Sequence, residues 1–300
     1  MYRHPFILLL LLLGFFVAGL FIGQFVALVA LYPFLGNSVL ELGSILNNIS
    51  NYPEYRNVIL LIQGLTSGIS MILFPYLFNL FYYKKRIYVG FGYPSDIYYL
   101  STVLIVICAI PAISWIADMN MQMSLPESFS WIESWAKNKE EELKMLTEYI
   151  TQFNSTLQFL FGLLVIAIIP AVGEELLFRG MIQNLLNDWW RNKHVAIWVT
   201  AIIFSAIHFQ FYGFLPRMLL GALLGYLFVW TNNLMIPILA HFTNNGFTLL
   251  LLHMKNIGKL KLDVETSKEM PASLIIGSFV IVAVILFFYK KQLKFEEKEW

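Results

Sequence analysis

The 300-residue chain is 58% hydrophobic and only 13% charged, and with 26 Phe, 15 Tyr and 8 Trp it carries more apolar surface than a water-soluble globule of this size buries. Lipid is therefore the expected solvent. Twenty Lys and Arg against nineteen Asp and Glu give no basic footprint for nucleic acid, and the single cysteine, Cys108, excludes an intramolecular disulfide and a cysteine-built metal site.

Apolar runs long enough to cross a bilayer, at about 1.5 Å of rise per residue, occur at about 6–32, 58–83, 97–117, 157–186, 195–211, 214–230, 234–252 and 272–289. The expected fold is all-α, a polytopic membrane protein of about eight transmembrane helices in a single membrane domain over residues 1–300. The first run, uninterrupted from Phe6 to Leu31, is about twice the length of a secretory h-region, and no small-x-small cleavage site follows it, so it reads as a retained anchor. Tyr32–Asn57, with Asn47, Asn48, Asn51 and Pro53, reads as a turn-rich external loop. Asp118–Asn154, where Glu140, Glu141 and Glu142 stand among Lys137, Lys139 and Lys144, reads as a connector with a polar helix outside the bilayer.

An even number of spans puts both termini on one side, and tight basic clusters mark that side as cytoplasmic. They are Arg3, Lys84-Lys85-Arg86, Arg191 with Lys193 beside Trp189-Trp190, and Lys290, Lys291, Lys294 and Lys298. The expected location is the plasma membrane of a bacterium. No internal repeat, phosphate loop or low-complexity tract is present.

Ionisable side chains inside a membrane cost roughly 2.5–3.5 kcal/mol on insertion scales, so each is a functional candidate. The fourth span carries Glu174, Glu175 and Arg179, the fifth carries His208 after Phe204, and the seventh carries His241 and Asn245. Counted from the cytoplasmic helix ends, Glu174, His208 and Asn245 each lie roughly 20 Å deep, with His241 one turn shallower. Glu175 and Arg179 are spaced i,i+4 and pair within one helix, which leaves Glu174, about 100° around, outside that pair as the candidate general base. Phe204 with His208, and His241 with Asn245, each share a face. Pro170 and Gly173 loosen the turn leading into the glutamates, a place for water to enter. His4, His194 and His253 read as surface or interfacial residues, and Arg217, near a helix end, is left out of the site because it can snorkel.

The runs Glu174-Glu175-x-x-x-Arg179, Phe204-x-x-x-His208 and His241-x-x-x-Asn245, in this order on successive membrane helices, resemble the CAAX protease and bacteriocin-processing family of intramembrane endopeptidases. That family includes the type II CAAX prenyl endopeptidases and the bacterial proteins once grouped as abortive-infection proteins. The resemblance covers a core of about 157–252 and implies helices around a water-filled cavity open to the cytosol. It also implies that Glu174 and His208 activate water while His241 and Asn245 stabilise an oxyanion, with Glu175, Arg179 and Phe204 supporting. The implied partners are a protein or peptide substrate at the membrane and the lipid itself.

Glu174, His208 and His241 would also be the ligand set of a zinc enzyme, but no His-Glu-x-x-His run is present, and metal-independent chemistry is the favoured expectation with zinc the alternative. Two rival readings remain: a non-catalytic immunity or scaffold protein that binds a peptide, and a proton-coupled transporter.

Overall fold

The computed structural model describes residues 4–47, 51–85, 87, 89–90, 95–260 and 270–296. Arg3, Asn48, Arg86 and Lys298, used above, lie outside the described residues. The described residues contain helices and no strand. In chain order the long helices are α1 (Pro5–Leu35), α2 (Pro53–Tyr83), α3 (Asp96–Met121), α4 (Ser130–Ile150), α5 (Thr156–Trp190), α6 (Lys193–Ala206), α7 (Phe214–Thr231), α8 (Met235–Asn256) and α9 (Ala272–Glu296). Seven of them, all except α4 and α6, are long and apolar enough to cross a membrane.

The fifth expected span is the exception. Helix α6 stops at Ala206 after 14 residues, roughly 21 Å against a hydrocarbon core of about 30 Å, and the chain breaks into turns before α7 begins. Tyr32–Asn57 also differs from the expected loop. Helix α1 runs on to Leu35, followed by a 3-10 segment at Gly36–Glu41 and a short helix at Leu42–Asn47. Val39, Leu42 and Ile45 recur every third residue and are buried together with Leu31, and this apolar stripe outweighs the turn-forming asparagines. The polar helix expected within Asp118–Asn154 is α4.

The chain divides into two compact units, and the division falls within α4. The first is Met1–Arg86 with Glu142–Trp189. In it α1 and α2 approach closely because α1 presents glycines: a Cβ on Gly19 would stand 2.7 Å from the Ser70 Cα, and one on Gly23 2.8 Å from the Thr66 Cα. Ile59, Leu60, Tyr149, Ile150 and Val165 form its buried cluster. At the ends of α2 and α5, Asp188 takes a hydrogen bond from Tyr83 at 3.1 Å and an ion pair from Lys85 at 2.6 Å.

The second unit is Ile87–Glu141 with Trp190–Trp300. Its core joins α3, α7, α8 and α9 through Tyr98, Ile105, Leu224, Leu227, Ile236 and Tyr289. Helix α6 lies against α7, where Ile197, Ala201 and Ala222 are buried together.

Candidate active site

In the first unit the acidic motif sits on α5, whose helical winding changes along its length. Two π-helical stretches, Leu163–Ile168 and Leu176–Gln183, flank an α-helical segment at Ile169–Glu175. Proline at 170 has no N–H to donate, and its ring would crowd the carbonyl four residues back, so the wider turn before it relieves both problems. Gly173 does not loosen the helix as expected. A Cβ there would stand 2.8 Å from the Met71 Cβ, so glycine lets α5 press against α2.

Glu175 and Arg179 pair as the spacing predicts, with Oε1 and Nη1 at 2.7 Å and both side chains fully buried. Glu174 is half-buried, makes contacts of its own and also lies within electrostatic reach of Arg179. The guanidinium therefore serves two carboxylates, more strongly the one it bonds. Two carbonyls of the second π stretch, Arg179 and Gly180, accept from the Asn184 side-chain amide at 3.1 and 3.0 Å, which satisfies backbone that the widened turn serves poorly.

In the second unit the histidine motifs gather around one ring. Phe204 is buried, and its ring centroid lies 5.2 Å from that of His208 and 6.0 Å from that of His241, both edge to face. Phe204 thus spaces two imidazoles from two different parts of the chain, the turn after α6 and helix α8. The Nδ1 of His208 is 2.7 Å from the Phe204 carbonyl oxygen. A carbonyl only accepts, so Nδ1 carries the proton, and in the neutral ring Nε2 holds the lone pair that a general base needs. His241 is buried, and Asn245 follows one turn later on α8. The Asn245 Oδ1 accepts from the Asn244 side-chain amide at 3.0 Å.

His208 does not sit on a helix, as the sequence suggests, but on the turn that follows α6. Its depth is set by where that short helix ends. Phe209 next to it has φ of +54°, the left-handed region that a side chain occupies only when its surroundings require it. Broken backbone at such a position must be satisfied by protein or water, and here much of it is satisfied by side chains. Ser205 donates to the Phe214 carbonyl at 2.6 Å. Asn120, buried on α3, donates to the Phe211 carbonyl at 3.1 Å and accepts from the Leu215 N–H at 2.8 Å.

Sequence reasoning passed over Asn120, although an asparagine near the end of an apolar span was a visible signal. It also set Arg217 aside. That side chain donates to the Gln210 Oε1 at 2.5 Å and lies within electrostatic reach of His208, as does His241. Asn184 and Asn244 gave no signal, since each acts on a neighbour whose winding or flip only coordinates reveal. His4 and His194 stand apart from the motifs: His4 accepts from the Phe6 N–H and packs against Trp189, and His194 bonds Tyr226 at 2.9 Å. Among the described residues no three His, Cys, Asp or Glu side chains stand close enough together to hold a metal ion.

Residues 156–247 match the family model described as type II CAAX prenyl endopeptidase Rce1-like. An uncharacterized protein, YpbD, of Bacillus subtilis (strain 168) is 30% identical over 116 residues, which is 36% of this chain and 57% of that protein. The match thus spans little more than half of the relative's length. No solved structure matches the chain. The family segment contains all three motifs, and the resemblance to the CAAX protease and bacteriocin-processing family holds over that part of the chain.

Proposed function

We propose that this integral membrane chain, similar over residues 156–247 to the type II CAAX prenyl endopeptidases, is an intramembrane endopeptidase that cleaves a membrane-associated protein or peptide. As the family resemblance implies, Glu174 and His208 are the residues that activate water: its proton is taken up, and the resulting hydroxide adds to the scissile carbonyl carbon. His241 and the Asn245 amide donate to the oxyanion that forms. The proton passes to the leaving nitrogen as the C–N bond breaks, giving a new carboxyl and a new amino terminus. Glu175 and Arg179 keep the acidic helix in place, and Phe204 spaces the two imidazoles.

The observation that carries this reading is the tautomer of His208, whose bond to the Phe204 carbonyl directs the Nε2 lone pair away from its own backbone. The chemistry is metal-independent in this reading, and zinc held by Glu174, His208 and His241 is the alternative that the chelator arm of the test decides. Lys84 and Lys85, at the end of α2, lie on the cytosolic side of a bacterial membrane. With the fifth span lost, seven helices among the described residues are long enough to cross, and an even count no longer puts both termini on the cytosolic side.

The test uses the purified full-length protein in lipid nanodiscs with two internally quenched peptides, one farnesylated near its C-terminus and one not. Wild type is expected to cleave at least one of them, and Glu174→Gln and His208→Ala to lose on the order of 10²–10⁴-fold in rate while remaining folded. Cleavage by Glu174→Gln at the wild-type rate would refute the assignment. Activity that disappears with a chelator and returns with zinc would replace the metal-free route.

A further inference from the structure

Helix α4 reads in the sequence as a solvated connector, yet one of its carboxylates is turned inward. Glu140 is half-buried, with its Oε1 accepting from the Gln210 Nε2 at 3.4 Å, and the Tyr212 backbone N–H lies near enough to act on its charge. Burial pushes the Glu140 carboxyl up, while the Tyr212 N–H and the nearby Arg217 charge pull it back. Gln210 in turn accepts from Arg217, the cation within reach of His208. Gln210 and Tyr212 belong to the broken segment between α6 and α7, which also carries His208 and the left-handed Phe209. One carboxylate therefore holds this segment at Gln210, and through Gln210 it is linked to Arg217.

A backbone with no helical ladder keeps its shape only through such contacts, because each residue it orders costs roughly 1–2 kcal/mol of conformational entropy. From α3, Asn120 fixes the later part of the segment at Phe211 and Leu215. Glu140 fixes the middle, between His208 and the Asn120 contacts. An imidazole that must meet a water within hydrogen-bond distance is sensitive to small displacements, and a shift of about 1 Å in a reacting group can cost on the order of 100-fold.

We infer that Glu140 is a positioning residue for His208: from outside the three motifs it holds the turn after α6 through Gln210, and α4 is thereby part of the catalytic apparatus. The inference rests on the endopeptidase reading for its effect on rate, but not for its effect on the turn. It needs the acceptor oxygens of Glu140 more than its charge, so glutamine is a partial replacement and alanine is not.

The experiment compares wild type, Glu140→Ala and Glu140→Gln as full-length proteins in nanodiscs, by hydrogen exchange over residues 207–215 and by kcat and KM on the two quenched peptides. Glu140→Ala is expected to speed exchange in that segment and lower kcat 10- to 100-fold with KM within about twofold, and Glu140→Gln to recover most of both. Wild-type exchange in Glu140→Ala, a loss confined to KM, or a glutamine variant no better than alanine would overturn the inference. If wild type cleaves neither peptide, the endopeptidase reading falls with those probes, while the exchange comparison still decides whether Glu140 orders the turn.

Discussion

The acidic and the imidazole motifs are secured in opposite ways. On α5 the helix stays continuous, and its charged residues are fastened to one another by a fully buried pair of adjacent-turn neighbours. Around His208 the helix ends, and the fastening comes from distant segments, Asn120 on α3 and Glu140 on α4. A buried charge needs a partner of fixed geometry, and i,i+4 spacing supplies one without help from elsewhere. A lone imidazole that must keep one nitrogen available gains nothing from such a partner, and a turn held at several points can orient it instead.

The largest effect should follow from breaking the self-contained half. Arg179→Met removes the guanidinium with which the fully buried Glu175 carboxylate pairs, and breaking a buried pair on one side costs on the order of 3–5 kcal/mol. A strongly lowered thermal midpoint in detergent, with poor yield, is the expected result. Glu175→Leu combined with Arg179→Met should recover part of the loss, since a buried pair replaced by apolar groups is often nearly neutral. Recovery should be incomplete, because Arg179 also attracts Glu174. An Arg179→Met protein as stable as wild type would mean that this half is not held by its own pair.

Breaking the externally fastened half should cost less stability and more local order. Asn120→Ala strands the Phe211 carbonyl and the Leu215 N–H, each worth roughly 1–3 kcal/mol when buried unsatisfied, although water can reach a turn more easily than a packed helix. Hydrogen exchange should rise across residues 207–215 and stay unchanged in 169–183. Exchange that rises equally in both segments would erase the distinction between the halves.

The same contrast governs what could be read in advance. The Glu175–Arg179 pair was legible because both partners lie four residues apart on one helix, where sequence spacing and distance in space agree. The long apolar spans were legible for a similar reason, since bilayer thickness fixes a run length. The end of α6 at Ala206 was not: the apolar run continues past it to Phe211, and hydropathy does not register that the backbone has left the helix. Gly173 was misread because close packing against Met71 is a long-range fact, while a glycine after a proline signals local loosening. Glu140 and Arg217 were assigned to solvent and interface by the polarity of their neighbourhoods, which is where such residues ordinarily lie. Their contacts across 70 and 7 residues depend on the turn itself.

The smallest expected effect separates two carboxylates of α4 by the sign of their response to acid. Glu133 accepts from the Leu125 N–H at 3.0 Å and pairs with Lys137 at 2.8 Å, and the Lys137 bond first, then the Leu125 bond, holds its carboxyl below the ordinary range. Its contribution is therefore present above the unfolded carboxylate value and is lost as pH falls through the lowered folded value. Glu140 has the opposite sign, because burial raises it: its contribution is fully present in acid and is lost as pH rises through the folded value. Acidification should thus release the connection before α4 at Leu125 without loosening the turn that Glu140 holds by the same titration. Amide exchange at Leu125, corrected for the intrinsic pH dependence of exchange, should speed up in acid for wild type and be nearly pH-independent in Glu133→Gln. High salt should shrink the wild-type effect, since the ion pair with Lys137 is partly open to solvent. Equal protection of Leu125 at neutral and acid pH would show that Glu133 does not anchor the start of α4.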